Sequence, residues 1–254
     1  MHPSHRNKPS VTAVIQARMQ SKRLPGKSMK EIAGKPLLAH VIERAKMMTG
    51  IGTVVVATCH DNEPIVALAA SLGVQSYVGS ESNVLERYYM AAQQAGGDYI
   101  VRITGDNPFT DVEYGAMAVE IAVETGADLS SITGIPLGTG VEVIKREALD
   151  TAYRENSTAY QREHVTPYIK EHAELFSVQR HPVLVKNPYK HMRLTVDTPE
   201  DYDFACRIYD ALYKGEPFSI REVIEFIKEN PELLNINSSV EQRPMTHSEQ
   251  PDGK

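Results

Sequence analysis

The sequence predicts an α/β protein built on a mostly parallel sheet. Apolar runs of strand length alternate with helical patterns through the first half. Prolines and glycines stand where those helices would open and close, as at Pro36, Gly50, Gly73 and Gly96. The 254 residues suffice to bury a large core in one α/β domain without covalent staples.

The first strand is VTAVIQ, residues 11–16. Pro36 then opens a helix at its first turn, with Leu37, Leu38, Val41, Ile42, Ala45 and Met48 on one face and Gly50 as the stop. TVVVATC (53–59) is the second strand, followed by a helix over 63–72. VQSYV (74–78) and a helix over 82–95 come next, then DYIVRIT (98–104) and a helix over 111–125. This is a βαβαβαβ unit.

The second half is less regular. GTGVEVI (138–144) and LFSVQR (175–180) read as strands, and 145–155 and 164–172 as helices. HMRLTVD (191–197) returns to strand character before Pro199 opens a helix with the acidic first turn PEDYD, running to about residue 213. A last helix, 220–230, ends before Pro231. From 235 to 254 the chain is polar and aperiodic, so a disordered tail is expected. One domain is expected over 11–232, with 134–182 as its less regular part.

Composition narrows the function. A formal charge of −6 and 7% aromatic residues argue against a general nucleic-acid binder, so any anion site must be local. Cys59 and Cys206, the two cysteines, suit buried, reduced thiols of a cytosolic protein. The start, MHPSHRNKPS, lacks the apolar core of a signal peptide, and no run approaches the roughly 20 apolar residues of a membrane span. A cytoplasmic protein with no membrane partner is expected.

Charge concentrates in IQARMQSKRLPGKSM (15–29), directly after the first strand. In an open parallel sheet ligands bind beyond the carboxyl ends of the strands, where this loop falls. Arg18 and Arg23 offer planar forks for phosphate oxygens, Lys27 a point charge, and LPG a turn that brings Lys27 back toward the same anion. A triphosphate suits these three cations, with Lys22 as the solvated neighbour; a merely solvated loop has the same composition.

Two aspartates complement them. In RITGDNPFTD, Gly105 permits close backbone approach and Pro108 stiffens the turn, holding Asp106 ready for a hard cation such as magnesium. In RLTVDTPED, Asp197 ends a predicted strand before a Pro-opened helix. Each aspartate, taken alone, also fits a turn or helix cap. Together with the cations they describe a site for a metal nucleotide.

Other candidates are weaker. Ser82, Asn83 and Arg87 follow the third strand and are nucleotide or sugar contacts or, equally, an ordinary helix start. PLGTGVEVI and QREHVTPY are candidates for acceptor recognition, with Glu142 accepting sugar hydroxyls and Arg162 and His164 facing a carboxylate; strand and surface-helix duty is the alternative. Ala17, Ser21, Arg102 and Arg193 complete the candidate substrate contacts. The histidines in HPVLVKNPYKH and HVTPYIKEH lack paired cysteines or an H-E-x-x-H pattern, so no transition-metal site is expected.

The stretches IQARMQSKRLPGK, GKPLLAHVIERA, RITGDNPFTD and RLTVDTPEDY resemble the cytidylyltransferases that make CMP-activated acidic sugars, which include CMP-Kdo and CMP-sialic acid synthetases. The form IQARM.S.RLPGK is most similar to the spore coat polysaccharide biosynthesis protein F group, over about residues 11–230. The resemblance implies a Rossmann-like nucleotide-diphospho-sugar transferase fold with a small dimerisation and acceptor subregion, and a homodimer. It implies CTP as donor, an acidic sugar as acceptor and Mg²⁺ as cofactor. Arg18, Arg23 and Lys27 would face the triphosphate, and Asp106 and Asp197 the metal.

The chain also departs from that pattern. SESNVLERYY keeps Glu86 and Arg87 but not the glycine and threonine of the CMP-Kdo synthetase segment, and the first loop has fewer glycines than in sialic acid synthetases. Neither sugar therefore carries over. A nucleotidyltransferase for another base or acceptor, and a nucleotide-binding regulator without turnover, remain the alternatives.

Overall fold

The computed structural model describes residues 8–183 and 189–242. Most of the amino-terminal stretch, the middle of HPVLVKNPYKH and residues 243–254 of the expected tail lie outside the described residues.

β1 (Val11–Gln16) sends Ala13 and Ile15 into one apolar layer and Val14 into the other, which is why its sequence is continuously apolar. After the basic loop comes a hairpin that periodicity does not announce, β2 (Glu31–Ile32) and β3 (Lys35–Pro36), turning through Ala33 and Gly34 at positive φ. Pro36 therefore stands before α1 (Leu37–Met47) as its N-cap residue, not in its first turn. β4 (Thr53–Cys59), α2 (Glu63–Ser71), β5 (Gln75–Gly79), α3 (Val84–Ala95), β6 (Tyr99–Thr104) and α4 (Val112–Thr125) follow in the expected alternation.

The second half holds β7 (Leu129–Thr133), β8 (Glu142–Lys145), α5 (Arg146–Glu155), α6 (Ala159–His164), α7 (Pro167–Glu171), β9 (Val178–Pro182), α8 (Pro199–Leu212) and α9 (Ile220–Glu229). The strands form a seven-stranded sheet in the order β5-β4-β1-β6-β8-β7-β9. β8 runs antiparallel to β6 and β7, and the other pairs are parallel. Strand order reverses around β1, so a crevice opens at the carboxyl ends of β1 and its neighbours.

Both faces of the sheet are covered. One layer takes Leu38 and Val41 of α1, Val119 of α4, Phe204 and Ile208 of α8 and Ile227 of α9; the other takes Leu85 and Tyr88 of α3, Leu149 of α5 and Ile169 of α7. Cys59 is buried, Cys206 half-buried, and both are free thiols.

Several expectations are corrected. The single helix over 164–172 is two, because Val165 adopts φ 73° and Pro167 has no N–H with which to continue the ladder. Residues 191–197 are extended but not a strand: Arg193 makes one isolated parallel bridge to Leu137, and Val196 N–H donates to Asp106 O at 2.9 Å. The strand expected over 138–144 begins only at Glu142, and that expected over 175–180 is shifted to Val178–Pro182. In the stretch from 235 expected to be a loose tail, the described residues 235–242 are mostly exposed, and one of them is anchored. Asn237 is buried and donates to Arg193 O at 3.1 Å.

Candidate active site

The loop after β1 is folded back on itself by Gly26, whose N–H donates to Met19 O at 3.0 Å and whose φ of 68° favours glycine. Met19 N–H donates to Asn62 Oδ1 at 2.6 Å, tying the loop to the start of α2, and Ser28 Oγ donates to Arg18 O at 3.1 Å. Lys27 is thereby turned inward at the head of a short 3-10 turn.

Gly105 lets β6 exit against β1. Its N–H donates to Gln16 O at 2.7 Å, and a Cβ there would stand 2.8 Å from that oxygen and 2.9 Å from Ala17 Cβ. Asp106 follows at once, and the extended segment before α8 brings Asp197 beside it through the Val196 bond.

The cations and the aspartates meet. Lys27 Nζ stands 2.8 Å from Asp106 Oδ2 and 2.7 Å from Asp197 Oδ1, with its side chain only 12% exposed. Arg23 Nη2 lies 3.3 Å from Asp197 Oδ2, and Arg193 Nη2 lies 2.8 Å from the same oxygen. Burial would lower the Lys27 pKa, but the two carboxylates hold it above its ordinary value. Burial likewise pushes the Asp197 carboxyl up, and Lys27, Arg23 and Arg193 outweigh it, so the group is held below the usual carboxylate range.

Two members of the basic loop stand apart. Arg18 is half exposed, 4.0 Å from Glu81 on the neighbouring loop, and Lys22 is exposed. Ala17 is buried and donates its N–H to Ala57 O at 3.1 Å, while Ser21 Oγ accepts from Leu24 N–H at 3.4 Å.

A second cluster lies on the sheet face covered by α3 and α7. Arg102 of β6 and Glu142 of β8 are register partners. Arg102 Nη1 is 3.2 Å from Glu142 Oε2, Thr166 Oγ1 donates to that oxygen at 3.0 Å, and Lys170 Nζ pairs with Oε1. Burial would raise the Glu142 pKa, but Arg102 and Lys170 with the hydrogen bonds hold it below its ordinary value. Burial keeps the nearby His164 imidazole below its usual pKa; Glu163 opposes that, and Arg102 and Lys170 reinforce it. Arg162 is turned to Asn156 Oδ1 at 3.3 Å.

Of the three candidates after β5, one caps the helix, one is exposed and one is buried. Asn83 Oδ1 caps α3 by accepting from Glu86 N–H at 3.0 Å, and Ser82 is exposed. Buried Arg87 donates through Nη1 to the carbonyls of Ser80 and Glu81, closing the loop ahead of the helix. Arg193 donates through Nε, Nη1 and Nη2 to Asp201, Gln242 and Asp197 of the protein itself.

The aspartate pair suits a magnesium ion. Two hard carboxylates converge on one cation position, held by the Lys27 ammonium, and magnesium characteristically takes one or two carboxylates plus phosphate oxygens and water. Among the described residues no group of three or more His, Cys, Asp or Glu side chains is placed to hold a metal by itself.

Sequence reasoning missed Asp201, Lys170, Thr166 and Asn237. Asp201 carries a readable signal, since Thr198 and Asp201 form a capping box at the start of α8. The others carry none.

Comparison with known proteins agrees with this geometry. A family model described as Cytidylyltransferase matches residues 12–236. An uncharacterized protein of Methanocaldococcus jannaschii is 38% identical over 92% of this chain and 96% of its own length. The spore coat polysaccharide biosynthesis protein SpsF of Bacillus subtilis is 31% identical, over 87% of this chain and 95% of its own. A cytidylyltransferase structure from Leptospira borgpetersenii aligns with a TM-score of 0.81 at 31% identity, over 89% of this chain and 97% of that one. With basic-loop cations that meet Asp106 and Asp197 beyond the carboxyl ends of β1 and β6, and with these matches spanning nearly its whole length, the chain belongs to the cytidylyltransferase family and is a nucleotidyltransferase.

Proposed function

We propose that the protein transfers CMP from CTP to a hydroxyl of an acidic sugar, a ulosonic or nonulosonic acid, and releases pyrophosphate, for the synthesis of a surface or spore coat polysaccharide. The observation that carries this reading is the convergence of Arg23, Lys27, Asp106 and Asp197 from three stretches of chain at the switch point of the sheet. The likeness of its motifs to CMP-Kdo and CMP-sialic acid synthetases supports the acidic acceptor. So does the second cluster, where Arg102 and Lys170 share one carboxylate, Glu142, with His164 nearby.

In the reaction the acceptor oxygen bonds to the α-phosphorus of CTP while the bond from that phosphorus to the bridging oxygen of pyrophosphate breaks, and the hydroxyl proton passes to solvent water. The protein's part is positioning and charge neutralisation. Arg18, Arg23 and Lys27 balance charge on the leaving pyrophosphate. Asp106 and Asp197 would hold the magnesium ion, which when bound would supply Lewis-acid neutralisation of phosphate oxygens. Lys27, whose ammonium is paired with those two aspartates in the free protein, then pairs with phosphate. Arg102, Glu142 and His164 orient the acceptor.

The same reading places the reaction in the cytoplasm. Among the described residues no helix is long and apolar enough to cross a membrane. A homodimer using the 134–182 region is part of the same reading, and light scattering on the purified protein measures it. The central test is to incubate the protein with CTP, magnesium and a panel of acidic sugars and to identify any CMP conjugate by mass, with UTP, GTP and ATP in parallel. Conjugates formed with another nucleotide, and none with CTP, would overturn the reading.

A further inference from the structure

The carboxylate of Asp197 is aimed by groups that lie outside the basic loop. Asp201, in the first turn of α8, has a side chain fully shielded from solvent. It accepts from Arg193 Nε at 2.8 Å and Nη2 at 3.1 Å, from the N–H groups of Asp197 and Thr198 at 3.0 and 3.1 Å, and from Asn237 Nδ2 at 3.0 Å. Arg193 Nη2 also donates to Asp197 Oδ2 at 2.8 Å, so one guanidinium bridges the two carboxylates.

The segment after α9 closes this network. Asn237 is buried and spends its amide group on Asp201 and on the carbonyl of Arg193, while the exposed Gln242 accepts from Arg193 Nη1. An arginine side chain loses much rotamer freedom when fixed, and its planar fork, engaged on three sides, has one orientation left. These bonds converge on Arg193 and on the backbone at Asp197 and Thr198 rather than on the apolar layers. They govern where a site carboxylate stands.

We propose that Asp201 and Asn237 are positioning residues, through which residues 236–242 clasp Arg193 and fix the Asp197 carboxylate opposite Lys27 and Asp106. The inference deepens the proposed function and rests on its placing of Asp197 in the triphosphate and metal site. It gives a role to a stretch whose composition reads as a tail.

The test uses the full-length protein, Asn237→Leu and Gln242→Ala, with Ser238→Ala as the control because its hydroxyl donates to Asn235 O, away from Arg193. Hydrogen exchange is read at the amides of Asp197 and Thr198, and Mg²⁺·CTP affinity by calorimetry. Loss of the two hydrogen bonds that Asn237 donates predicts exchange faster by about tenfold or more at those two amides in Asn237→Leu and Mg²⁺·CTP binding weaker by about tenfold or more, with exchange in β1 and the KM for the acidic sugar unchanged. Gln242→Ala, at an exposed position that cannot unfold the core, should move both readouts by about threefold.

Exchange at Asp197 and Thr198 equal to wild type in both variants would overturn the clasp. Faster exchange with unaltered Mg²⁺·CTP affinity would overturn its link to the site. A wild-type protein that neither binds Mg²⁺·CTP nor transfers CMP would refute the proposed function instead, while the exchange rates would still decide the clasp.

Discussion

Replacing Lys27 by methionine keeps an unbranched side chain as far as Cε and removes the ammonium that joins Asp106 to Asp197. Two charge-assisted contacts at 2.7 and 2.8 Å are each worth about 1.5–3 kcal/mol before desolvation is charged against them. Removing one partner of a well-buried pair costs about 3–5 kcal/mol. Here the loss is smaller, because Asp197 keeps Arg193 and Arg23, and Asp106, 26% exposed on its side chain, regains water. A net destabilisation of about 2–3 kcal/mol follows, or a fall in Tm of about 4–12 °C for a chain of this size. The variant leaves two facing carboxylates without their shared cation, so millimolar magnesium should restore more of its Tm than it adds to wild type. CTP turnover should fall as well, because the phosphate site loses a cation. The assay is a thermal melt with and without magnesium, alongside pyrophosphate release. A variant that melts with the wild type and responds equally to magnesium would refute the pairing, and one that melts low but turns over normally would confine Lys27 to stability.

Other perturbations separate the remaining roles. Asp106→Ala leaves Lys27 paired with Asp197, so it should cost about 1 kcal/mol of stability while pyrophosphate release falls by about 100-fold or more; near-normal release would remove Asp106 from the chemistry. Glu142 is held below its ordinary pKa of 4.5, so its contribution to stability is full above that value and is lost as pH falls through the lower, folded value. Glu142→Gln should therefore be less stable than wild type near neutral pH and should show a flatter acid limb below 4.5, as read by urea unfolding across pH. Gly105→Ala drives a methyl group to 2.8 Å from the Gln16 carbonyl oxygen, and should cost about 1–3 kcal/mol and displace Asp106, lowering Tm and turnover together.

How much of this was legible follows from what each stretch packs against. β1, β4 and β6 lie between two apolar layers, so their sequences are nearly continuous in apolar residues and announce themselves. β7 (LSSIT) hides because buried Ser130 and half-buried Ser131 occupy its centre. Residues 191–197 mislead for the opposite reason: Met192, Leu194 and Val196 alternate into the core as a strand's would, but among the described residues the backbone finds only one bridge, at Leu137. Periodicity reports which side chains are buried. It does not report whether a neighbouring strand is present to be paired.

The same distinction governs the site. Arg23, Lys27, Asp106 and Asp197 were each readable because they follow strand-like runs, and a parallel sheet brings such positions to one crevice. What local sequence could not state is that Lys27 reaches partners 79 and 170 residues away, so that the cation proposed for phosphate neutralises the two carboxylates proposed for the metal in the free protein. On the proposed reading the consequence is a competition: magnesium alone would have to displace an ammonium that two carboxylates hold, while phosphate alone would have to draw that ammonium from them, so each would bind less well without the other. Nucleotide and metal binding should therefore reinforce each other, with Arg193 and Asp201 keeping Asp197 in place while Lys27 changes partner.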